Sequence, residues 1–425
     1  MSRMPVTETA KRVAALQAKL NKKPEVKGAS VMDDIDMAPN TYFLRRPCGI
    51  MPLDIDTGGG LPAGGLTYIS GPDGTGKTFL LYKYIAMNQR LYGERASCAL
   101  GVSEAAPDHF FMRKCGVQIA IPEHMIEEIV HECKERGLPA YSKEDIKAFR
   151  AKTVGNIKLL RGANGEELLG SILDCFDSGL FDIIGLDSIS AVLPEADAGK
   201  DLDEAAKRAA AAGMVTRFFQ HYLNGTTGYY GLNLTTVIFT SQVRSNSKKA
   251  EAPSHVQKYL SDYAAQGAWA AKHGKLIDIL VKPGQKEKEN VRAPVTAFTT
   301  LNEVAEHEDK ERRQKKIQTG KTVNYEIMKG KAGVHEGITG EFEFNYDVLT
   351  EDQRMVIVAG IQCGTVIESD GIVTVYDPGT GAEVPGLEKI QGIGMLVDMM
   401  KKDFDLELAM RRAVLTKKRI QCAYR

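Results

Sequence analysis

Residues Gly71-Pro72-Asp73-Gly74-Thr75-Gly76-Lys77-Thr78 constrain this chain more than any other eight residues in it. They match G-x-x-x-x-G-K-[ST], a pattern that works only between a strand and a helix. Both neighbours are legible. Residues 66–70 form an apolar run of strand length, and Leu81, Tyr84, Ile85 and Leu91 recur on one helical face. The glycines let backbone N–H groups curl around phosphate oxygens, and the helix N-terminus adds partial positive charge. Lys77 would reach the β- and γ-phosphates, and the Thr78 hydroxyl would ligate Mg²⁺. A hydrolytic site also needs an acid at a strand end. Phe181-Asp-Ile-Ile-Gly-Leu-Asp187 supplies one, with Asp187 expected to bind Mg²⁺ through water. Apolar strands ending in Asp are common, so that second motif is weak alone.

Around this motif the pattern is α/β. Apolar runs at 66–70, 97–102, 181–187 and 236–241 read as buried parallel strands, with further strands at 276–282, 323–328 and 341–346. The stretch 204–223 reads as a helix with Met214, Val215, Phe218, Phe219 and Tyr222 on its apolar side. An amphipathic helix is expected over 7–23, carrying Val13, Leu16 and Leu20 on one face. Three segments read as additions: a mixed-charge helical stretch at 121–152, a polar segment at 245–266 without strand pattern, and a doubly charged one at 303–321 expected as solvated helix or loop. From about Leu349 a small α/β unit is expected, with a strand at 372–376, a turn at 377–379 and a helix from about Gly392.

Composition excludes several classes. The 425 residues allow two or three domains, and no run approaches the ~20 apolar residues of a membrane helix. The charged N-terminus, without an apolar stretch, gives no signal-peptide pattern. Seven cysteines without a C-x-x-C pair read as reduced thiols of a cytoplasmic protein. His124, His131 and Cys133 share a helical stretch but lack a second ligand pair, so a zinc site is not expected. With 55 Lys+Arg against 55 Asp+Glu the net charge is zero, so any nucleic-acid contact must come from local patches.

Four further segments, at 49–65, 98–111, 236–244 and 328–331, together with the loop at 71–78, resemble the RecA family of recombinases. Gly49-Ile-Met-Pro-Leu-Asp-Ile-Asp-Thr-Gly-Gly-Gly-Leu-Pro-Ala-Gly-Gly65 is similar to the family's lead-in to its phosphate loop. Cys98-Ala-Leu-Gly-Val-Ser-Glu104-Ala-Ala-Pro-Asp108-His-Phe-Phe111 resembles its second core strand and the turn after it. The resemblance implies that ATP is the nucleotide and that Glu104 is the catalytic glutamate polarising the attacking water. It implies that Asp108 contacts adenine and that Phe111 stacks on it, where the family usually has tyrosine. Thr236-Val-Ile-Phe-Thr-Ser-Gln242-Val-Arg244 resembles the strand whose terminal glutamine senses the γ-phosphate and moves the DNA loop that follows. Met328-Lys329-Gly-Lys331 is similar to the paired lysines that reach a neighbouring subunit's nucleotide, and Lys272 falls near another interface lysine.

The implied fold class is α/β: a RecA-like P-loop NTPase core with a central, mostly parallel sheet, an N-terminal oligomerisation helix and a small C-terminal α/β domain. The implied boundaries are 1–42, with Val31 as an apolar anchor on the next subunit, then 43–348, and 349–425 as a unit gathering duplex DNA. The implied activity is DNA-dependent ATP hydrolysis with Mg²⁺, coupled to filament formation on single-stranded DNA and strand exchange with duplex. A single-strand-binding protein or a loader would be a further partner. Candidate DNA contacts are Arg244, Lys248, Lys249, Lys258 and Tyr259, with Tyr263 as an alternative wedge. A second patch, Arg411, Arg412, Lys417 and Lys418, suits either duplex phosphates or a solvated helix face.

The chain also departs from the family. The segments 121–152 and 303–321 are atypical, the region 195–213 has lost the first DNA loop's glycine-methionine character, and the chain ends basic rather than acidic. These departures suggest a divergent member, of bacteriophage type. A ring-forming motor of the same core fold, or a non-catalytic recombination mediator, are the rival readings. Lys329, Lys331 and the terminal units weigh against the motor, and Glu104 with Lys77 against the mediator.

Overall fold

A computed structural model describes residues 44–103, 107–119, 127–128, 130–131, 134–135, 156–192, 208–228, 233–245, 263–265, 274–292, 314–346 and 349–420. The chain begins with β1 (Arg45–Arg46), α1 (Met51–Asp56), β2 (Leu61–Pro62), β3 (Leu66–Gly71) and α2 (Lys77–Tyr92). It continues through β4 (Ser97–Val102), α3 (His109–Lys114), β5 (Asn156–Leu160), α4 (Gly165–Ser178), β6 (Ile183–Asp187) and α5 (Arg208–Gly228). Next come β7 (Thr236–Ser245), β8 (Tyr263–Ala265), β9 (Ile277–Arg292), β10 (Gln314–Gly330) and β11 (Thr339–Asn345). The last elements are α6 (Asp352–Cys363), β12 (Val366–Ser369), β13 (Ile372–Val375), β14 (Ile390–Gln391), α7 (Gly392–Lys402) and α8 (Phe404–Lys417).

The expected apolar runs become adjacent strands of one sheet, in the order β11-β10-β9-β3-β7-β6-β4-β5. The six strands from β9 to β5 pair in parallel, and β10 and β11 add an antiparallel edge. Continuous apolar sequence makes sense here because both faces are covered. Ile69, Cys98, Leu100, Ile183 and Ile238 pack on one side with α2. Their sequence neighbours Tyr68, Ala99, Ile184, Val237 and Phe239 pack on the other with α4 and α5. This is the period-2 alternation of a strand, with both phases apolar. The predicted apolar face of α5 (Met214, Val215, Phe218, Phe219, Tyr222) is buried there as expected.

Three expectations are corrected. Residues 314–321 of the segment expected as solvated helix or loop belong to β10, where Gly320 to Glu326 pair with β11 on one side and β9 on the other. Their charges therefore line a strand edge, while 303–313 lie outside the described residues. The segment 245–266 does contain a strand: β8 pairs antiparallel with β7, Tyr263 opposite Ser245. Gln242 does not end its strand, because β7 continues to Ser245. The expected helix at 7–23 lies outside the described residues, as does most of 121–152, where the residues described as helical are 127–128, 130–131 and 134–135.

After Leu349, helices α6, α7 and α8 surround the three-stranded sheet β12-β13-β14. Their core (Val356, Val373, Leu396, Met400, Val414) is joined by Met51 of α1 and Met87 of α2. Polar ties reinforce this seam: Lys83 pairs with Asp352, and Arg90 reaches Glu407 at 3.0 Å. Among the described residues no helix is long and apolar enough to cross a membrane.

Candidate functional site

In a parallel sheet the carboxyl ends of the strands form the ligand-facing edge. Here β3 ends there at Gly71, β6 at Asp187, and β4 just before Ser103. The loop leaving β3 turns on glycines: Gly74 has φ 67° and Gly76, which caps α2, has φ 104°. Residues with a side chain avoid these angles. Gly71 is required by space instead, since a Cβ would lie 2.5 Å from Val281 O and 2.8 Å from Thr75 Oγ1. Within the loop, Thr75 Oγ1 donates to Pro72 O (2.7 Å) and Lys77 Nζ to the same carbonyl (2.8 Å). Asp73 stands 3.9 Å from Lys77 Nζ.

The two motifs read separately from sequence meet at this edge. Thr78 Oγ1 donates to Asp187 Oδ2 at 2.8 Å, and Thr240 Oγ1 donates to Asp187 Oδ1. A hydroxyl and a carboxylate in contact at the lip of a phosphate loop form the hard oxygen set that Mg²⁺ prefers. A web of hydroxyls ties the strand ends together. Ser103 N donates to Asp187 O and Ser188 N to Ser103 Oγ, both at 3.0 Å. Ser188 Oγ and Ser190 Oγ lie 3.0 Å apart, and Gln242 N donates to Ser190 Oγ at 3.0 Å. Gln242 is also the ladder partner of Gly71, the first residue of the loop. Sequence reading missed Ser103, Ser188, Ser190 and Thr240. Their signal was present, as small hydroxyl residues clustered where apolar strands stop.

Asp108 caps α3, its Oδ1 accepting from Phe110 N (2.9 Å) and Phe111 N (3.1 Å). Phe111 leans on Tyr82 of α2, ring centroids 6.0 Å apart, so it sits over the helix that the phosphate loop opens. Glu104, which follows Ser103, lies outside the described residues, as do Lys272, Lys248, Lys249, Lys258 and Tyr259. The backbone of Arg244 pairs with Ala264 of β8.

The two lysines at the end of β10 are not brought to the phosphate loop of their own chain. Lys329 pairs with Asp278, which pairs with Tyr68, and Lys331 N bonds Leu276 O. Because Leu276 N in turn bonds Leu66 O, Lys331 lies level with the start of β3. At roughly 3.3 Å per strand residue, that is about 17 Å from Gly71, beyond the reach of a lysine. Burial, then the charges of Lys331 and Lys275, hold the Lys329 ammonium below its ordinary pKa. Arg45 from β1 steadies this turn by donating to Ala332 O.

One candidate is withdrawn. Arg411 is not a DNA contact, because its side chain is 0% exposed. It donates Nε to Glu407 Oε1 at 2.9 Å and Nη1 to Gly49 O at 2.8 Å. A guanidinium buried between a carboxylate and a carbonyl has no face left for phosphate. Its neighbours Arg412, Lys417 and Lys418 are exposed.

No protein-family model matches the chain. It is similar to Protein RecA of Desulfovibrio desulfuricans, 29% identical over 199 residues, covering 47% of this chain and 44% of that protein. It is similar to Protein RecA of Chloroflexus aurantiacus, 26% identical over 238 residues, covering 56% and 55%. Protein RecA of Streptomyces avermitilis is 26% identical over 234 residues, covering 55% and 51%. The chain spans about half the length of the curated relatives it matches. With the α/β core, the phosphate loop and these relatives together, the chain is a divergent relative of the RecA proteins.

Proposed function

We propose that this chain is an ATP-dependent recombinase that assembles on single-stranded DNA and exchanges strands with homologous duplex. One observation carries the reading: Lys77, Thr78 and Asp187 converge at the carboxyl end of the sheet, while Lys329 stands level with Tyr68 in the middle of β3 and Lys331 level with its start. That separation suits a site completed by the next subunit, in which two foreign ammonium groups meet the γ-phosphate. Gly71, Pro72, Asp73, Gly74, Thr75 and Gly76 would cradle the phosphates, with Asp108 and Phe111 beside the base. Thr78 and Asp187 would hold Mg²⁺, which supplies charge neutralisation on the β- and γ-oxygens. Glu104 would orient the attacking water. The bond from γ-phosphorus to the bridging oxygen breaks as the water oxygen bonds phosphorus, giving ADP and phosphate.

Gln242, tied to both Gly71 and Ser190, would pass the nucleotide state to the segment after β7. That segment, with Arg244, Lys248, Lys249, Lys258 and Tyr259, would hold single-stranded DNA, and Arg412, Lys417 and Lys418 would attract duplex. The units proposed are 1–42 for oligomerisation, 43–348 for the ATPase and 349–425 for duplex DNA, in a cytoplasmic protein served by a single-strand-binding protein or loader. A strand-exchange assay with ATP tests this. Wild type should convert substrate and Lys77→Ala should not. Equal product from both, or closed rings without filaments on single-stranded DNA by electron microscopy, overturns the proposal.

A further inference from the structure

Lys329 of β10 and Lys331 just beyond it stand away from the phosphate loop of their own chain, but another lysine of β10 touches it. Lys321 lies midway along β10, one strand removed from β3, and its Nζ donates to Gly74 O, inside the phosphate loop. Its surroundings are those of a cation awaiting an anion. In the ladder it stands opposite Lys286 of β9 and Phe344 of β11. Like charges directly opposed across strands are destabilising. Its ammonium lies 5.4 Å from the centroid of the Phe344 ring, which packs edge-on against Phe79 of α2 at 5.0 Å. The ammonium thus lies between the Phe344 ring and the loop carbonyl it bonds. Burial, then Lys286, hold its pKa below the ordinary lysine value.

We propose that Lys321 is a second nucleotide contact, delivered by β10 to the phosphate loop of its own subunit, with the polyphosphate as its ligand. The proposal rests on the nucleotide reading given above. A neutral carbonyl is a weaker partner for ammonium than a phosphate oxygen, so the bound polyphosphate draws Nζ from Gly74 O. The same anion relieves the repulsion between Lys321 and Lys286. This contact acts in cis, on binding, whereas Lys329 and Lys331 act across subunits, on hydrolysis.

Calorimetric titration of MgATP and of inorganic tripolyphosphate, into wild type, Lys321→Gln, Lys321→Arg and Lys77→Ala, tests this. Glutamine can still donate to Gly74 O, so it removes the charge and keeps the staple. Lys321→Gln should weaken both ligands about tenfold with an unchanged thermal midpoint, and Lys321→Arg should keep wild-type affinity. Wild-type affinity in Lys321→Gln overturns the proposal, as does a loss matched by a lowered thermal midpoint. If Lys77→Ala loses binding while Lys321→Gln does not, the nucleotide reading stands and Lys321 alone is struck out. If Lys77→Ala also binds like wild type, the nucleotide reading falls and Lys321 falls with it.

Discussion

Replacing Arg411 with methionine separates a structural arginine from a DNA-binding one. Arg411 and Glu407 have side chains 0% exposed, one helical turn apart on α8. Arg411 donates Nε to Glu407 Oε1 at 2.9 Å and Nη1 to Gly49 O at 2.8 Å, with Nη2 in ion-pair contact 2.8 Å from the same Glu407 oxygen. Removing it strands one oxygen of a buried carboxylate and a buried carbonyl. Breaking one side of such a pair costs about 3–5 kcal/mol. The lower end applies, because Arg90 and Gln353 still hold Glu407 Oε2, each at 3.0 Å. About 3 kcal/mol corresponds to a fall in urea midpoint of roughly 1 M for a slope near 3 kcal/mol/M. The measurement is urea unfolding followed by circular dichroism, beside duplex-DNA affinity. The pH dependence has a defined sign. Burial pushes Glu407 up, but Arg411, Arg90 and the Gln353 bond outweigh it and leave its pKa below the ordinary value. A depressed carboxyl stabilises the fold above its unfolded pKa of about 4.3 and loses that contribution as pH falls through the folded value. The gap between wild type and Arg411→Met should therefore narrow below about pH 4. An unchanged midpoint at neutral pH together with weakened duplex binding would refute the reasoning.

Two further substitutions probe the nucleotide edge. Gly71→Ala would set a methyl 2.5 Å from the Val281 carbonyl, a backbone atom of the adjacent strand that cannot move aside. It should cost about 1–3 kcal/mol of stability, read by thermal unfolding, and should weaken ATP binding by distorting the loop. Asp187→Asn keeps the size of the side chain that receives Thr78 and Thr240 but removes its charge. It should raise the Mg²⁺ concentration for half-maximal ATPase activity roughly 10- to 100-fold, and an unchanged Mg²⁺ titration would remove Asp187 from the metal site.

Much of the site was legible because its chemistry is local. Eight consecutive residues specify the phosphate loop, since a curl of backbone around phosphate depends on glycine at set intervals and on the strand and helix flanking it. The buried parallel strands were legible for a related reason: covered on both faces, they are apolar at every position. The edge was harder to read. β10 carries Lys315, Lys316, Lys321 and Lys329 within one strand, and such density of charge resembles a solvated segment until its ladder partners are known. Arg411 misled for the converse reason, because burial is a property of the packed seam between α8 and the Gly49 turn, not of the basic run around it.

The order of residues alone determined that a glycine-rich loop of phosphate-binding pattern lies between a strand and a helix, and that the core is α/β. Only the folded chain decided where each lysine stands relative to the phosphate loop. Lys321 and Lys329 lie eight positions apart on one strand, yet the first touches its own phosphate loop and the second stands level with Tyr68, in the middle of β3. The cause is geometric. An extended strand carries its side chains in a straight line, about 3.3 Å per residue, so eight positions set the two apart by roughly 26 Å. Pairing register and strand direction then assign each charge to one level of the sheet, and both arise from contacts between segments distant in sequence.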